Sequence, residues 1–331
     1  MHNPSFRTLI DIEKSDIFFN HHLPVLTFGS CFSSNIGDLI LKSGFHGAIN
    51  PFGVLYNPIS IANAINRMIE NTPYSSNEII ENNGLWLSLD HHGSYSKSSQ
   101  DETLQNINNE IETLHQIIKN ECVILITLGS SHVYKWTKNN QITGNCHKFP
   151  SKYFTKSMLT SEEIIEKLSE TIQTIYQQNI ATKIIFTISP VRYLSDGFFE
   201  NQISKSTLHI AIAELQKRHQ RISYFPAYEI MMDDLRDYRF YTNDMLHPSS
   251  LAIDYIWEHF KNTYFDNETQ KKTEVITEFD KALNHRPFQE KSATYYNFIE
   301  TQMRKIEQFK ISNPEINFSE LILKFEQKKS L

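Results

Sequence analysis

The chain reads as an α/β protein of three layers, with helices on both faces of a central, mostly parallel sheet, followed by a C-terminal helical extension. Short apolar runs that do not alternate, such as Val123-Ile124-Leu125-Ile126-Thr127-Leu128, suit strands buried on both faces. These runs take turns with segments whose apolar residues recur at helical spacing, and strands alternating with helices imply parallel pairing. Beyond about residue 260 the composition shifts to Lys, Glu, Gln, Asn and Thr with spaced Phe, Ile, Tyr and Leu, which marks the extension. The expected division is a domain over 1–261 and amphipathic helices over 262–331, packed on the core or on a second copy as a homodimer contact.

The elements follow in order. Leu23, Val25, Leu26 and Phe28 predict a buried strand at 23–28, and Ile36, Leu39 and Ile40 a helix near 33–43. A strand near 45–50 runs into Asn50-Pro51-Phe52-Gly53, and a helix near 58–71 follows. Alternating Leu85, Leu87 and Leu89 give 84–96 the look of a strand or hairpin insertion. A helix near 101–119 feeds the strand at 122–128, after which 133–160 reads as a long irregular stretch, the kind that serves as a functional loop or lid. A helix at 161–178, a strand at 183–188, a helix near 203–219 and a strand near 221–226 complete the pattern. In such a sheet the site lies at the carboxyl ends of the strands.

Composition narrows the function classes. A formal net charge of −6 argues against non-specific nucleic-acid binding. The N-terminus lacks a basic start followed by an apolar core, and no stretch reaches about eighteen uncharged apolar residues, so the expectation is a cytoplasmic chain with no membrane span. Three cysteines, Cys31, Cys122 and Cys146, have no paired spacing, which suggests neither a disulfide framework nor a four-cysteine metal site. No cofactor or metal is called for.

The segment Leu-Thr-Phe-Gly-Ser-Cys-Phe-Ser-Ser-Asn, residues 26–35, carries the chemistry. The period changes from strand to helix on Gly29-Ser30-Cys31, and a sharp strand-to-helix turn exposes a hydroxyl while aiming backbone N–H groups at whatever it attacks. Ser30 is the expected nucleophile and Cys31 its rival; as a bare helix cap, Ser30 would need no chemistry. Far along the chain, Asn243-Asp244-Met245-Leu246-His247-Pro248 places a carboxylate three residues before an imidazole. On one tight turn Asp244 can hold one ring nitrogen of His247 and leave the other as base, at the mouth of a helix beginning near Pro248.

These motifs, together with Asn145-Cys146-His147 and Ser189-Pro190-Val191-Arg192, resemble the GSCFA family, which is itself similar to the SGNH, or GDSL-type, hydrolases. The resemblance runs from about Phe6 to Phe260. It implies a Ser30, His247 and Asp244 triad with Gly53 as an oxyanion donor. The third hydrolase block normally carries an asparagine, and here Gly129-Ser130-Ser131-His132 has none. Asn145 would replace it if the 144–147 loop folds over the site, with Ser130 or Ser131 as the competing hydroxyl. His147 is a further candidate for the substrate side, and Arg192 and Lys205 would neutralise a charged substrate unless they form surface ion pairs. The activity implied is a serine esterase acting on an O-acyl group, such as acetyl, of a carbohydrate or cell-envelope precursor. An acyltransferase with the same triad and a non-catalytic binding protein on the hydrolase fold are the alternatives.

Overall fold

A computed structural model describes residues 7–285 and 292–329. In chain order, β1 (Val25–Gly29) leads through α1 (Cys31–Lys42) to β2 (Gly47–Ile49), and α2 (Pro58–Glu70) precedes a hairpin of β3 (Ile79–Asn82) and β4 (Leu85–Ser88). Then α3 (Gln100–Ile118) returns to β5 (Val123–Leu128), followed by β6 (His132–Trp136), β7 (Ile142–Thr143) and β8 (Phe154–Met158). The chain continues through α4 (Ser161–Gln178), β9 (Lys183–Ile188), α5 (Phe198–Arg218), β10 (Ile222–Phe225) and the one-turn α6 (Ala227–Glu229). Four further helices close it: α7 (Ser250–Tyr264), α8 (Asn267–Asn284), α9 (Ala293–Ser312) and α10 (Ser319–Lys329).

Five strands form a parallel sheet in the order β2-β1-β5-β9-β10. Alternate residues face two separate cores. Leu26, Phe28, Ile124, Ile126, Ile184 and Phe186 pack with α2, α3, α4 and α5, whereas Val25, Val123, Leu125 and Ile185 pack with α1 and α7. Leaving Ile61, Ile65 and Met68 of α2 exposed would forgo about 1.5–3 kcal/mol each, so that face alone holds the helix on the sheet. Because β1 connects outward to β2 over one face and the chain then returns over the other face to β5, the strand order reverses between β1 and β5. Parallel α/β sheets open a crevice at such a switch point, beyond the carboxyl ends of the strands.

Three differences from the sequence reading have physical causes. The 133–160 stretch is not irregular: β6, β7 and β8 make a three-stranded antiparallel sheet, with Trp136 set against Phe149, Tyr153 and Phe154. Its outer strand β8 shows a polar, exposed run that hides any two-residue period. Helix α5 starts five residues earlier than expected, because Phe198 and Phe199 in its first turn are 72% and 74% exposed and do not contribute to a buried stripe. Pro248 does not open α7; it bridges to Tyr241, and Ser249 caps the helix from Ser250.

Helices α8, α9 and α10 enclose a third core of their own, built from Ile276, Phe279, Leu283, Ile299, Ile306, Ile316 and Phe325 among others. It meets the rest at the end of α1, where the Asn317 N–H donates to the Gly44 carbonyl at 2.8 Å. Among the described residues no helix is long and apolar enough to cross a membrane.

Gly29 marks a close approach of two strands of the sheet. Its φ is +143°, and a Cβ there would stand 2.1 Å from the Thr127 carbonyl oxygen of the neighbouring strand. Gly29→Ala should therefore lower the unfolding free energy by at least about 2 kcal/mol, combining backbone strain with steric overlap, as measured by denaturant titration.

Candidate active site

The β1–α1 turn sits at the switch point. Ser30 is the N-cap of α1, with φ −70° and ψ 176°, and its N–H donates to the Thr127 carbonyl at 3.2 Å. Its side chain turns inward. The residue is 1% exposed, and Oγ has no hydrogen-bond partner. Thr27, Ser33 and Thr127 are equally buried with unpaired hydroxyls, so Ser30 belongs to a layer of hydroxyl groups between the sheet and α1. No hydrogen bond joins Ser30 Oγ to His247.

Asn50 fixes this turn from the side. Its Oδ1 accepts the Gly29 N–H at 2.8 Å and its Nδ2 donates to Ser34 Oγ at 2.8 Å, so one buried amide clamps both the strand end and the first turn of α1. A φ of +44° lets Asn50 turn the chain toward Pro51. The 50–53 turn is in turn gripped by the 88–96 insertion: the His92 N–H donates to the Phe52 carbonyl at 2.8 Å, the Tyr95 hydroxyl to the Pro51 carbonyl, and the His91 ring stacks on Phe52 at 4.5 Å. Burial pushes the His91 pKa down to about 3, so that ring is neutral over the working range.

Asp244 and His247 meet as their spacing implies, with His247 Nδ1 2.6 Å from Asp244 Oδ2. The other carboxylate oxygen accepts the N–H groups of His247 and Leu246 at 3.0 and 2.9 Å and the Thr242 hydroxyl at 2.7 Å. These bonds, that from the His247 backbone first, hold the Asp244 carboxyl well below the usual carboxylate range. An ionised carboxylate only accepts, so Nδ1 carries the proton and Nε2 is left as the basic nitrogen. Nε2 has no hydrogen-bond partner among the described residues. Met245, at φ +60°, supplies the reversal that brings the pair together.

Beside the turn lie a cysteine and a buried lysine. Cys31 is half-buried at the first position of α1. Burial raises its thiol pKa; the N–H groups of Phe32 and Cys31 and the Lys205 charge act in the opposite sense, and Asp244 adds to the rise. Lys205 is 1% exposed, and Nζ donates to the carbonyl oxygens of Gly129 and Ser189, each at 2.7 Å. Desolvation takes its pKa down to about 7, while the Cys31 charge works to raise it. Tyr56 closes the other side: its carbonyl accepts the N–H groups of Gly129 and Ser130 at 2.9 Å each, and burial first, then Cys31 and Tyr193, raise the pKa of its hydroxyl.

The GSCFA family model matches residues 24–260, a span that holds the β1–α1 turn, Lys205 and the Asp244–His247 pair, and the model for the C-terminal domain of GSCFA domain proteins matches residues 276–329. The chain belongs to the GSCFA family. None of the curated proteins is similar enough to match it.

The remaining candidates of the GSCFA motifs have other duties. The Gly53 N–H, expected to face an oxyanion, donates to the Asn50 carbonyl at 2.6 Å, and a Cβ at Gly53 would stand 2.0 Å from His92 Cβ, which explains the glycine by packing. Asn145 Oδ1 accepts the His147 N–H at 2.8 Å, while the Asn145 N–H donates to the Leu89 carbonyl. No hydrogen bond brings it to Ser30 or Gly53. Ser131 gives both its N–H and its hydroxyl to Ser204 Oγ, at 2.8 and 3.1 Å. His147 Nε2 sits 2.7 Å from the Ser88 carbonyl, tying its loop to the insertion, and burial lowers its pKa. Arg192 places Nη2 2.8 Å from Met232 Sδ, yet its charge still reaches Lys205. Lys205 makes no surface ion pair. Its place on a helix gave no sign that the amine points inward, and Asn50, visible only as part of a motif, gave no sign of being a clamp.

Two measurements test this support. Asn50→Ala strands the buried Gly29 N–H and should cost about 1–3 kcal/mol in denaturant unfolding. His91 has a folded pKa near 3 against 6.5 when unfolded, so the unfolded chain binds the proton first between those values. Stability should be complete above pH 6.5 and fall as pH drops toward 3, by at most about 1.4 kcal/mol per pH unit from this group. A His91→Gln variant should show the smaller pH slope.

Proposed function

We propose that this GSCFA protein catalyses acyl transfer from an O-acyl ester to water at the β1–α1 turn, as the similarity of its motifs to the SGNH hydrolases suggests. The observation that carries the reading is the Asp244–His247 pair, an imidazole with one nitrogen held at 2.6 Å by an ionised carboxylate and the other left open. His247 takes the proton of the nucleophile, becomes an imidazolium stabilised by Asp244, and returns the proton to the leaving alcohol. The developing oxyanion falls to the first N–H groups of α1, because the Ser30 and Gly53 N–H groups are each donated to a carbonyl. A carbohydrate ester suits the rim, where the rings of Tyr56 and Tyr193 are 50% and 47% exposed and offer apolar faces to a sugar.

The test is turnover of p-nitrophenyl acetate and of acetylated sugars by the full chain. His247→Ala should lower kcat by roughly 10²–10⁴ and Asp244→Asn should also lower it markedly, with circular dichroism unchanged. Wild-type protein inactive on both substrate classes would defeat the proposal.

A further inference from the structure

We infer that the nucleophile paired with His247 is the thiol of Cys31, and that the Ser30 hydroxyl is a structural group of the interior. For its substrate this rests on the acyl-transfer reading above; for its geometry it does not. Four observations converge. Ser30 is sealed at 1% exposure with its hydroxyl in the layer shared by Thr27, Ser33 and Thr127, where no ester carbonyl can reach it. Cys31, the next residue, retains exposure at the amino end of a twelve-residue helix. Lys205 and Asp244 both act on the thiol by charge, the first favouring the thiolate and the second opposing it. The Asp244 carboxylate is bonded directly to the His247 ring, so the base and the thiol share one neighbourhood.

The chemistry closes without any added oxidant or metal. Burial keeps the thiol protonated near neutral pH, so a base is required, and His247 Nε2 supplies it. As the S–H proton passes to Nε2, sulfur bonds to the acyl carbon and the carbonyl electron pair moves onto oxygen. The tetrahedral species collapses by breaking the C–O bond, and the imidazolium protonates the departing alcohol, leaving a thioester on Cys31. Water, deprotonated by His247, then attacks the thioester carbon; the C–S bond breaks, the carboxylic acid leaves, and the proton returns to sulfur. Lys205, whose Nζ is bonded to the Gly129 and Ser189 carbonyls, favours the thiolate when it carries its proton.

The experiment has two arms on the full chain. In the first, protein quenched during turnover of p-nitrophenyl acetate is digested and mapped by mass spectrometry. An acetyl group on Cys31 that neutral hydroxylamine removes supports the inference; an acetyl group on Ser30 overturns it. Cys31→Ala should abolish turnover, while Ser30→Ala should keep the larger part of it. In the second arm, which needs no substrate, iodoacetamide alkylation of Cys31 is timed against Cys146, the other half-buried cysteine. Cys31 should react about tenfold or more faster, and His247→Gln should remove most of that advantage. Equal rates, or no response to His247→Gln, overturn the pairing even if some ester is hydrolysed. Should the advantage hold while no ester is turned over, the thiol–imidazole pair stands and the ester reading falls.

Discussion

Lys205 carries its ammonium into an interior that leaves it 1% exposed, and it is tolerated there because Nζ donates to two backbone carbonyls, those of Gly129 and Ser189. A charge without such partners would cost several kcal/mol. Those carbonyls stand just past the ends of β5 and β9, so one side chain of α5 sets the spacing of two strand ends. The residue before it extends the same grip: Ser204 Oγ takes the Ser131 N–H at 2.8 Å and lies 3.3 Å from Ser130 Oγ. The 129–131 turn is thereby tied to α5 at three residues. The Tyr56 carbonyl, which takes the Gly129 and Ser130 N–H groups, holds the same turn from the other side.

The opposite wall is built from backbone rather than charge. Asn50 joins the Gly29 N–H to Ser34, and the insertion residues His91, His92 and Tyr95 brace the turn that Asn50 begins. Behind them Tyr74 donates to Asp90 at 3.0 Å, and burial raises the pKa of that carboxyl. A neutral histidine and a carboxyl with raised pKa deep in one support suit a scaffold that must stay rigid. The dyad, by contrast, is half exposed, with side chains 44% and 46% accessible, where a substrate can meet it.

The parallel sheet was legible because strands buried on both faces write unbroken apolar runs, as β5 does, and because α2 and α4 keep clean apolar stripes. The Asp244–His247 pair was legible because its contact is local, three residues apart on one turn. Elements that rely on distant partners were not. β8 has an exposed, polar face and is a strand only through β6; α5 begins with two exposed phenylalanines; Lys205 and Asn50 act through carbonyls and N–H groups far away in the chain. The choice between Ser30 and Cys31 falls in the same class. Which of two adjacent side chains enters the core depends on how α1 lies on the sheet, a fact of packing that the order of residues does not state.

The sheet also bears on how copies of the chain can meet. Its edges are its shortest strands: β2 pairs through three residues and β10 through four, whereas the inner strands have five or six. A short edge offers few unpaired N–H and carbonyl groups and gives an incoming strand little to template on. Growth by strand addition, the route that turns exposed sheet edges into aggregates, is therefore disfavoured at both ends.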